Sequence, residues 1–249
     1  MAGHSKWANI KHRKGRQDAA RGKIFGKLIR EITIAARLGG PDPNANPRLR
    51  LALDKARGAN MPKDTTERAV KKGSGGGDAD ALEEVIYEGY GAKGVAVMIE
   101  CITDNKNRTT PEIRHLFSKY GGNLGTDGCV AWIFETKGVL HVSKDGVDED
   151  RLMEVALEAG AEDVVEEDTY FEVRTGPDDF EAVQGALKDA GLETQSSEVS
   201  RIPSNNIVLS EEDAPKVLRL LDMLQDHDDV QHVHSNFDVP DEVLEKLGQ

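Results

Sequence analysis

The spacing of apolar residues changes along the chain. From Ile24 the apolar positions are Ile24, Phe25, Leu28, Ile29, Ile32 and Ala36, steps of three and four that predict one face of an α-helix. Lys23, Lys27, Arg30 and Arg37 repeat with the same period on another face. Gly39-Gly40-Pro41 ends the helix, since glycine suits a left-handed cap and proline blocks continuation. Asn46-Pro47 reads as an N-cap followed by a proline in the first turn. The helix it opens has Leu49, Ala52, Leu53 and Ala56 inside and Arg48, Arg50, Lys55 and Arg57 outside. Asp64-Thr65-Thr66-Glu67 has capping-box spacing and predicts a third helix through Ala69 and Val70 to about Gly73. Three helices with small apolar faces predict a compact bundle.

After GSGGGDADA (residues 73–81), which reads as a flexible hinge, the period becomes that of strands alternating with helices. VAVMIECIT, a helix carrying Ile113, Leu116 and Phe117, and CVAWIFE form a first β-α-β unit. GVLHVS with a helix and Val164-Val165, then YFEVRT with a helix and residues 199–202, form the second and third. NNIVLS, a helix with Val217, Leu220, Leu221 and Leu224, and residues 230–233 form the fourth. Units two and three together spell βαββαβ, the ferredoxin-like arrangement; units one and four do so if the middle pair is an insertion. The expected fold is therefore α+β: a basic helical domain with a mobile N-terminal tail (1–79), then two ferredoxin-like α/β domains. One of these is discontinuous (80–135 plus 205–249), and the other (136–204) is inserted in it.

Charge sharpens this division. The chain of 249 residues has a formal net charge of −13, but residues 1–77 hold 18 Lys and Arg against 6 Asp and Glu, a net of +12, leaving −25 for the remainder. Such asymmetry points to a module that meets a polyanion, joined to an acidic body. The alternative is that opposite charges attract across an internal interface. Met1–Arg21 has little apolar periodicity beyond Trp7 and Ile10 and is expected to be mobile unless bound or docked. Lys6, Lys11, Arg13, Lys14, Arg16 and Arg21 can neutralise phosphates there, with His12 beside them, and Trp7 can stack on a base or anchor the tail. Lys23, Lys27, Arg30, Arg48 and Arg50 extend this candidate nucleic-acid surface onto the helices.

Other chemistry is sparse. TDNKNRT (103–109) lies between a strand and a helix; its backbone N–H groups and Arg108 could hold an anion, while its Asp and Asn could simply cap turns, the reading we favour. Asn105, Asn107 and Arg108, with Asn123 and Asp127 of the glycine-rich GGNLGTDG, are candidate partner-contacting loop residues. Cys101 and Cys129 fall in apolar strands and read as inert thiols. His232 and His234 alternate on one strand face, but two ligands do not make a metal site. No nucleophile elbow, zincin motif or catalytic dyad stands out, so no catalytic residue, metal or cofactor is expected. No apolar run nears the ~20 residues that span a bilayer, and two cysteines without a pairing pattern fit a reducing, cytoplasmic protein.

GHSKWANIKHRK, QDAARGKIF, NPRLRLALDKA, NMPKD, ERAVKKG, YEGYG, TDNKNRT and GGNLGTDG occur in this order. Together they resemble the YebC family, whose mitochondrial relatives include the translational activator of cytochrome c oxidase subunit I. The resemblance implies three domains around a central cavity and no small-molecule cofactor. It also implies a non-enzymatic regulator of gene expression: either a DNA-binding transcriptional regulator or a ribosome-associated translation factor that eases elongation through stretches such as proline runs. Gly26 stands where many relatives have Thr or Ser, and YGAKG replaces the frequent YGPGG. A signature beginning at residue 3 implies a bacterial-type cytoplasmic protein without a transit peptide. The expected partner is ribosomal RNA or DNA, not a membrane. The oligomeric state is not given by the sequence, with a monomer slightly favoured; a protein-interaction module without nucleic acid is the further alternative.

Overall fold

The computed structural model describes residues 17–75, 81–167, 169–240 and 242–243. Three helices come first: α1 (Gln17–Gly39), α2 (Pro47–Gly58) and α3 (Lys63–Ser74). Their core joins Ile32, Ala35, Ala36, Leu49, Ala52, Ala56, Met61 and Ala69. These small side chains let the helices approach closely: a Cβ on Gly73 would lie 2.3 Å from the carbonyl oxygen of Thr33. Asn46 caps α2 as expected, its Oδ1 accepting from Leu49 N at 3.0 Å. Its Nδ2 also donates to the carbonyls of Ala35 and Gly40 at the end of α1, so one buried side chain serves two helix ends. The proposed capping box does not form. The third helix begins one residue before Asp64, behind Pro62, with no side-chain cap, and Asp64 instead pairs with Arg68 one turn on.

The remaining elements are β1 (Glu83–Tyr90), β2 (Ala96–Thr103), α4 (Lys106–Lys119), β3 (Asn123–Leu124), β4 (Phe134–Ser143), α5 (Glu149–Glu158), β5 (Ala161–Glu166), β6 (Tyr170–Thr175), α6 (Phe180–Asp189), β7 (Thr194–Pro203), β8 (Ile207–Val208), α7 (Ala214–Gln225), β9 (Val230–Ser235) and β10 (Phe237–Asp238). The fold is α+β, with seven α-helices among the described residues. Contacts divide the chain into two compact units, one spanning residues 132–205 and the other holding the rest of the described chain.

The 132–205 unit is β4-α5-β5-β6-α6-β7 with sheet order β5-β6-β4-β7, all neighbours antiparallel. This is the βαββαβ pattern read from the sequence. Leu140, Val142, Phe171 and Val173 face Leu152, Ala156, Phe180, Val183 and Leu187 of the two helices.

The other sheet has the order β3-β1-β2-β9, and here the strand assignments change. EEVIYEGY, which the sequence reading passed over, is β1, an inner strand paired with β2 from Glu83↔Thr103 to Tyr90↔Ala96. Its acids and glycine have low strand propensity, yet alternation sends Val85 and Tyr87 to the core. Gly89 leaves room for Phe117, whose ring a Cβ there would meet at 2.9 Å. CVAWIFE is not one strand: residues 131–133 form a 3-10 turn and Phe134 opens β4. Trp132 is accordingly 70% exposed. Of NNIVLS only Ile207–Val208 is strand, and it pairs in parallel with β10 outside the main sheet. The strand beside β2 on its other edge, opposite β9, is β1.

The core of this sheet joins Tyr87, Val97, Ile99 and Cys101 to Ile113 and Phe117 of α4 and to Val217, Leu220, Leu221 and Leu224 of α7. The opposite face meets α1, where Ile34 packs with Leu82 and Ile102. This contact corrects the single apolar stripe predicted for the first helix. Residues 32–36 are buried on all sides because the helix is sandwiched between the bundle and the sheet, whereas Ile24, at its start, is 47% exposed.

Candidate nucleic-acid interface

Lys6, Trp7, Lys11, His12, Arg13, Lys14 and Arg16 lie outside the described residues. The other predicted cations divide by role. Arg21 is exposed. Lys23 Nζ donates to the carbonyl of Asp226 at 3.0 Å, Lys27 Nζ to that of Gln225 and Arg30 to that of Asp228. The cationic stripe of α1 thus lies across the C-terminal end of α7. Arg48 spans Glu31 at 2.7 Å and Glu84 at 2.6 Å. Burial of its guanidinium opposes protonation, but the hydrogen bonds and charges of these two carboxylates outweigh it and raise the pKa. Arg50 donates to the Pro43 carbonyl. Opposite charges attracting within the fold, the alternative left open above, therefore describes Arg30, paired with Asp229, and Arg48, whereas Lys23 and Lys27 meet backbone carbonyls.

At the centre of this contact is Asp229, which sequence reading did not single out. It is 2% exposed. Arg108 reaches its Oδ2 at 2.7 Å, the hydroxyls of Thr109 and Thr103 donate to the same atom at 2.7 and 3.2 Å, and Arg30 lies 3.4 Å from Oδ1. Burial alone would raise its pKa. The hydrogen bonds from Arg108 and Thr109, with the charges of Arg108 and Arg30, outweigh that and hold it below the usual carboxylate range. Asn105 caps α4, accepting from Arg108 N at 3.1 Å. The capping reading favoured for TDNKNRT holds at Asn105, while Arg108, the cation offered to an anion there, pairs with the chain's own Asp104 and Asp229. Nothing in the sequence near Asp229, within the run DHDD, distinguishes it from its exposed neighbours; only burial does.

Glu88 was also missed. It accepts from Gly128 N at 2.8 Å, Val130 N at 2.7 Å and Ala131 N at 2.8 Å, ordering the loop that holds Asn123 and Asp127. Asn107 and Asp127 are exposed, while Asn123 opens β3. Cys101 is buried, and burial pushes its thiol up to about 12. Cys129, placed in a strand by the sequence, sits half-buried in the turn after that loop, its pKa also raised, chiefly by burial. His234 Nε2 lies 3.5 Å from Glu100. Among the described residues no group of three or more His, Cys, Asp or Glu is placed to hold a metal ion, and no helix is long and apolar enough to cross a membrane.

The arrangement of a three-helix module ahead of a discontinuous sheet with an insertion matches known proteins over nearly the whole chain. Residues 5–76 match the model of the TACO1/YebC protein N-terminal domain, and residues 82–237 that of the TACO1/YebC second and third domain. The chain belongs to the TACO1/YebC family. Among its relatives are proteins called probable transcriptional regulatory protein. That of Methylococcus capsulatus is 61% identical, covering 100% of both chains. Those of Aeromonas salmonicida and Desulforapulum autotrophicum are 60% and 55% identical, each covering 99% of this chain and 100% of the relative. The crystal structure of a conserved hypothetical protein from Aquifex aeolicus superposes with a TM-score of 0.86 at 48% identity, covering 96% of this chain and 99% of that one.

Proposed function

We propose that this TACO1/YebC protein is a regulator of gene expression that acts by binding nucleic acid through its basic N-terminal module, without catalysing a reaction. The observation that carries this reading is the charge division: +12 over residues 1–77 within a chain of net −13. The first contact falls to Lys6, Lys11, Arg13, Lys14, Arg16 and Arg21, with Trp7 and His12 available to stack or hydrogen bond. The target is structured RNA of the ribosome, where a cationic segment with an indole engages phosphates and unstacked bases. The role is that of an elongation factor at difficult sequences such as proline runs, as the family resemblance implies. A second reading, DNA-bound transcriptional regulation, is favoured by the names of the relatives.

Crosslinking bound nucleic acid in cells, beside ribosome co-sedimentation at low and high salt, tests both. The RNA reading expects ribosomal RNA crosslinks and co-sedimentation that weakens steeply with salt. Promoter enrichment without ribosome association would sink it in favour of DNA. Charge reversal at Lys11, Arg13, Lys14 and Arg16 should abolish binding while circular dichroism stays unchanged; normal binding by that variant would move the site elsewhere.

A further inference from the structure

Helix α7 ends in an electrostatically unfavourable way. The last carbonyls of a helix lack intrahelical partners, and its C-terminus carries partial negative charge that cations relieve and anions worsen. The last turn of α7 contains no Lys or Arg, and Asp222, Asp226, Asp228 and Asp229 crowd it. The missing cations come from α1. Lys23, Lys27 and Arg30, spaced to share one helix face, donate to the carbonyls of Asp226, Gln225 and Asp228. A row of carbonyl oxygens among carboxylates offers these cations what a phosphate backbone offers: several acceptor oxygens carrying negative charge.

We propose that the aspartate-rich end of α7 is an intramolecular mimic of phosphate that occupies the Lys23–Lys27–Arg30 stripe in the free protein and is exchanged for nucleic-acid phosphates on binding. The proposal rests on the nucleic-acid reading above and adds its regulation: the stripe becomes available only to a polyanion that outcompetes α7. Two features make the exchange reversible. The three contacts to carbonyls are solvent-exposed, so water takes them over at little cost. Asp229, the buried member, keeps Arg108, Thr109 and Thr103 when Arg30 leaves, so no buried carboxylate is orphaned. The exchange needs only the long side chains of Lys23, Lys27 and Arg30 to swing away, because α1 itself stays packed on the bundle through Phe25, Leu28 and Ile29 and residues 32–36 remain buried. Freed, the stripe adds its three cations to those that the sequence supplies between Lys6 and Arg21.

The test uses the full-length protein and an oligouridine of about 20 nucleotides, with fluorescence anisotropy at low salt. Neutralising the competitor by Asp222→Asn, Asp226→Asn and Asp228→Asn should tighten binding about three- to tenfold. An equal charge change at exposed positions of the 132–205 unit, Glu154→Gln, Glu158→Gln and Glu193→Gln, should have a smaller effect. The gain should vanish when Lys23→Ala, Lys27→Ala and Arg30→Ala are added, because it acts through the stripe. Circular dichroism checks that each variant folds, and for any that does not, hydrogen exchange at residues 225–230 of the wild type replaces it: oligouridine should accelerate exchange there. A gain matched by the remote control, a gain that survives loss of the stripe, or exchange unchanged by oligouridine would overturn the competition while leaving nucleic-acid binding intact. No binding of oligouridine by any form would overturn both.

Discussion

The two four-stranded sheets reach similar architectures by different routes. The sheet of the 132–205 unit is continuous in sequence, and its two βαβ halves interleave, β4 pairing with β6 and β7 and β5 with β6. The other draws β1 and β2 from one stretch and β9 from another, and the buried Asn236 side chain accepts from the amide of Ala96, 140 residues away. The face of the continuous sheet away from its two helices carries a polar cluster: His141 stands between Ser196 at 2.9 Å and the fully buried Glu172 at 3.3 Å, and Arg174 closes on Glu172 at 2.8 Å. The discontinuous sheet gives its second face to α1. Contiguous sequence here supplies both a sheet and the two helices that cover one of its faces, whereas the dispersed strands also receive α1, an element from outside their own βα units.

The strongest test of that contrast is a large-to-small change in each core. Phe117→Ala should cost about 3–5 kcal/mol and Leu140→Ala about 2–5 kcal/mol, because both side chains are fully buried and leave cavities. Hydrogen exchange during a urea titration should place each loss in its own sheet. Equal loss of protection in both sheets would show that they unfold together and erase the contrast.

Buried carboxylates sharpen it further. Glu172, like Asp229, has a lowered pKa: burial opposes ionisation, and hydrogen bonds from His141 and Arg174 outweigh it. A depressed folded-state pKa contributes stability that is present above the unfolded value of about 4 and is lost as pH falls through the folded value. Asp229→Asn should therefore cost about 1–3 kcal/mol near neutral pH and flatten the acid limb of denaturation for the discontinuous sheet and α1. Glu172→Gln should do the same for the 132–205 sheet alone. Thermal unfolding from pH 7 to pH 3 reads both, and an unchanged acid limb in both variants would remove these two groups as its cause.

The smallest expected effect concerns the element that covers the discontinuous sheet. Asn46→Ala removes the α2 cap and the two bonds to the end of α1, and should cost about 1–2 kcal/mol. It should raise amide exchange in residues 32–40 while leaving the continuous sheet unaffected. Equal exchange in both regions would show that the bundle is not held independently.

Legibility followed the same division. The helices at Ile24 and Pro47, the Asn46 cap, the glycine stop at residues 39–40 and the whole βαββαβ of the 132–205 unit rest on local periodicity and cap chemistry, and all could be read. β1 could not be, because its acids and glycine disguise a strand whose pairing is set by β2 and whose Gly89 is required by Phe117, 28 positions on. Asp229 and Glu88 could not be either, since their importance lies in burial beside groups that the sequence does not bring near. Lys23, Lys27 and Arg30 were legible as one cationic face, but not in what they face.

By itself, then, the sequence determined the helical bundle, the α+β class, the inserted unit and the division of charge, because each is written in residues a few positions apart. Only the tertiary structure decided which strand fills the inner place of the first sheet, which aspartate is buried, and that the α1 stripe lies on the end of α7. Those outcomes depend on which distant groups share a low-dielectric interior or a helix terminus. There a charge or an unpaired carbonyl must find its partner wherever the fold brings one.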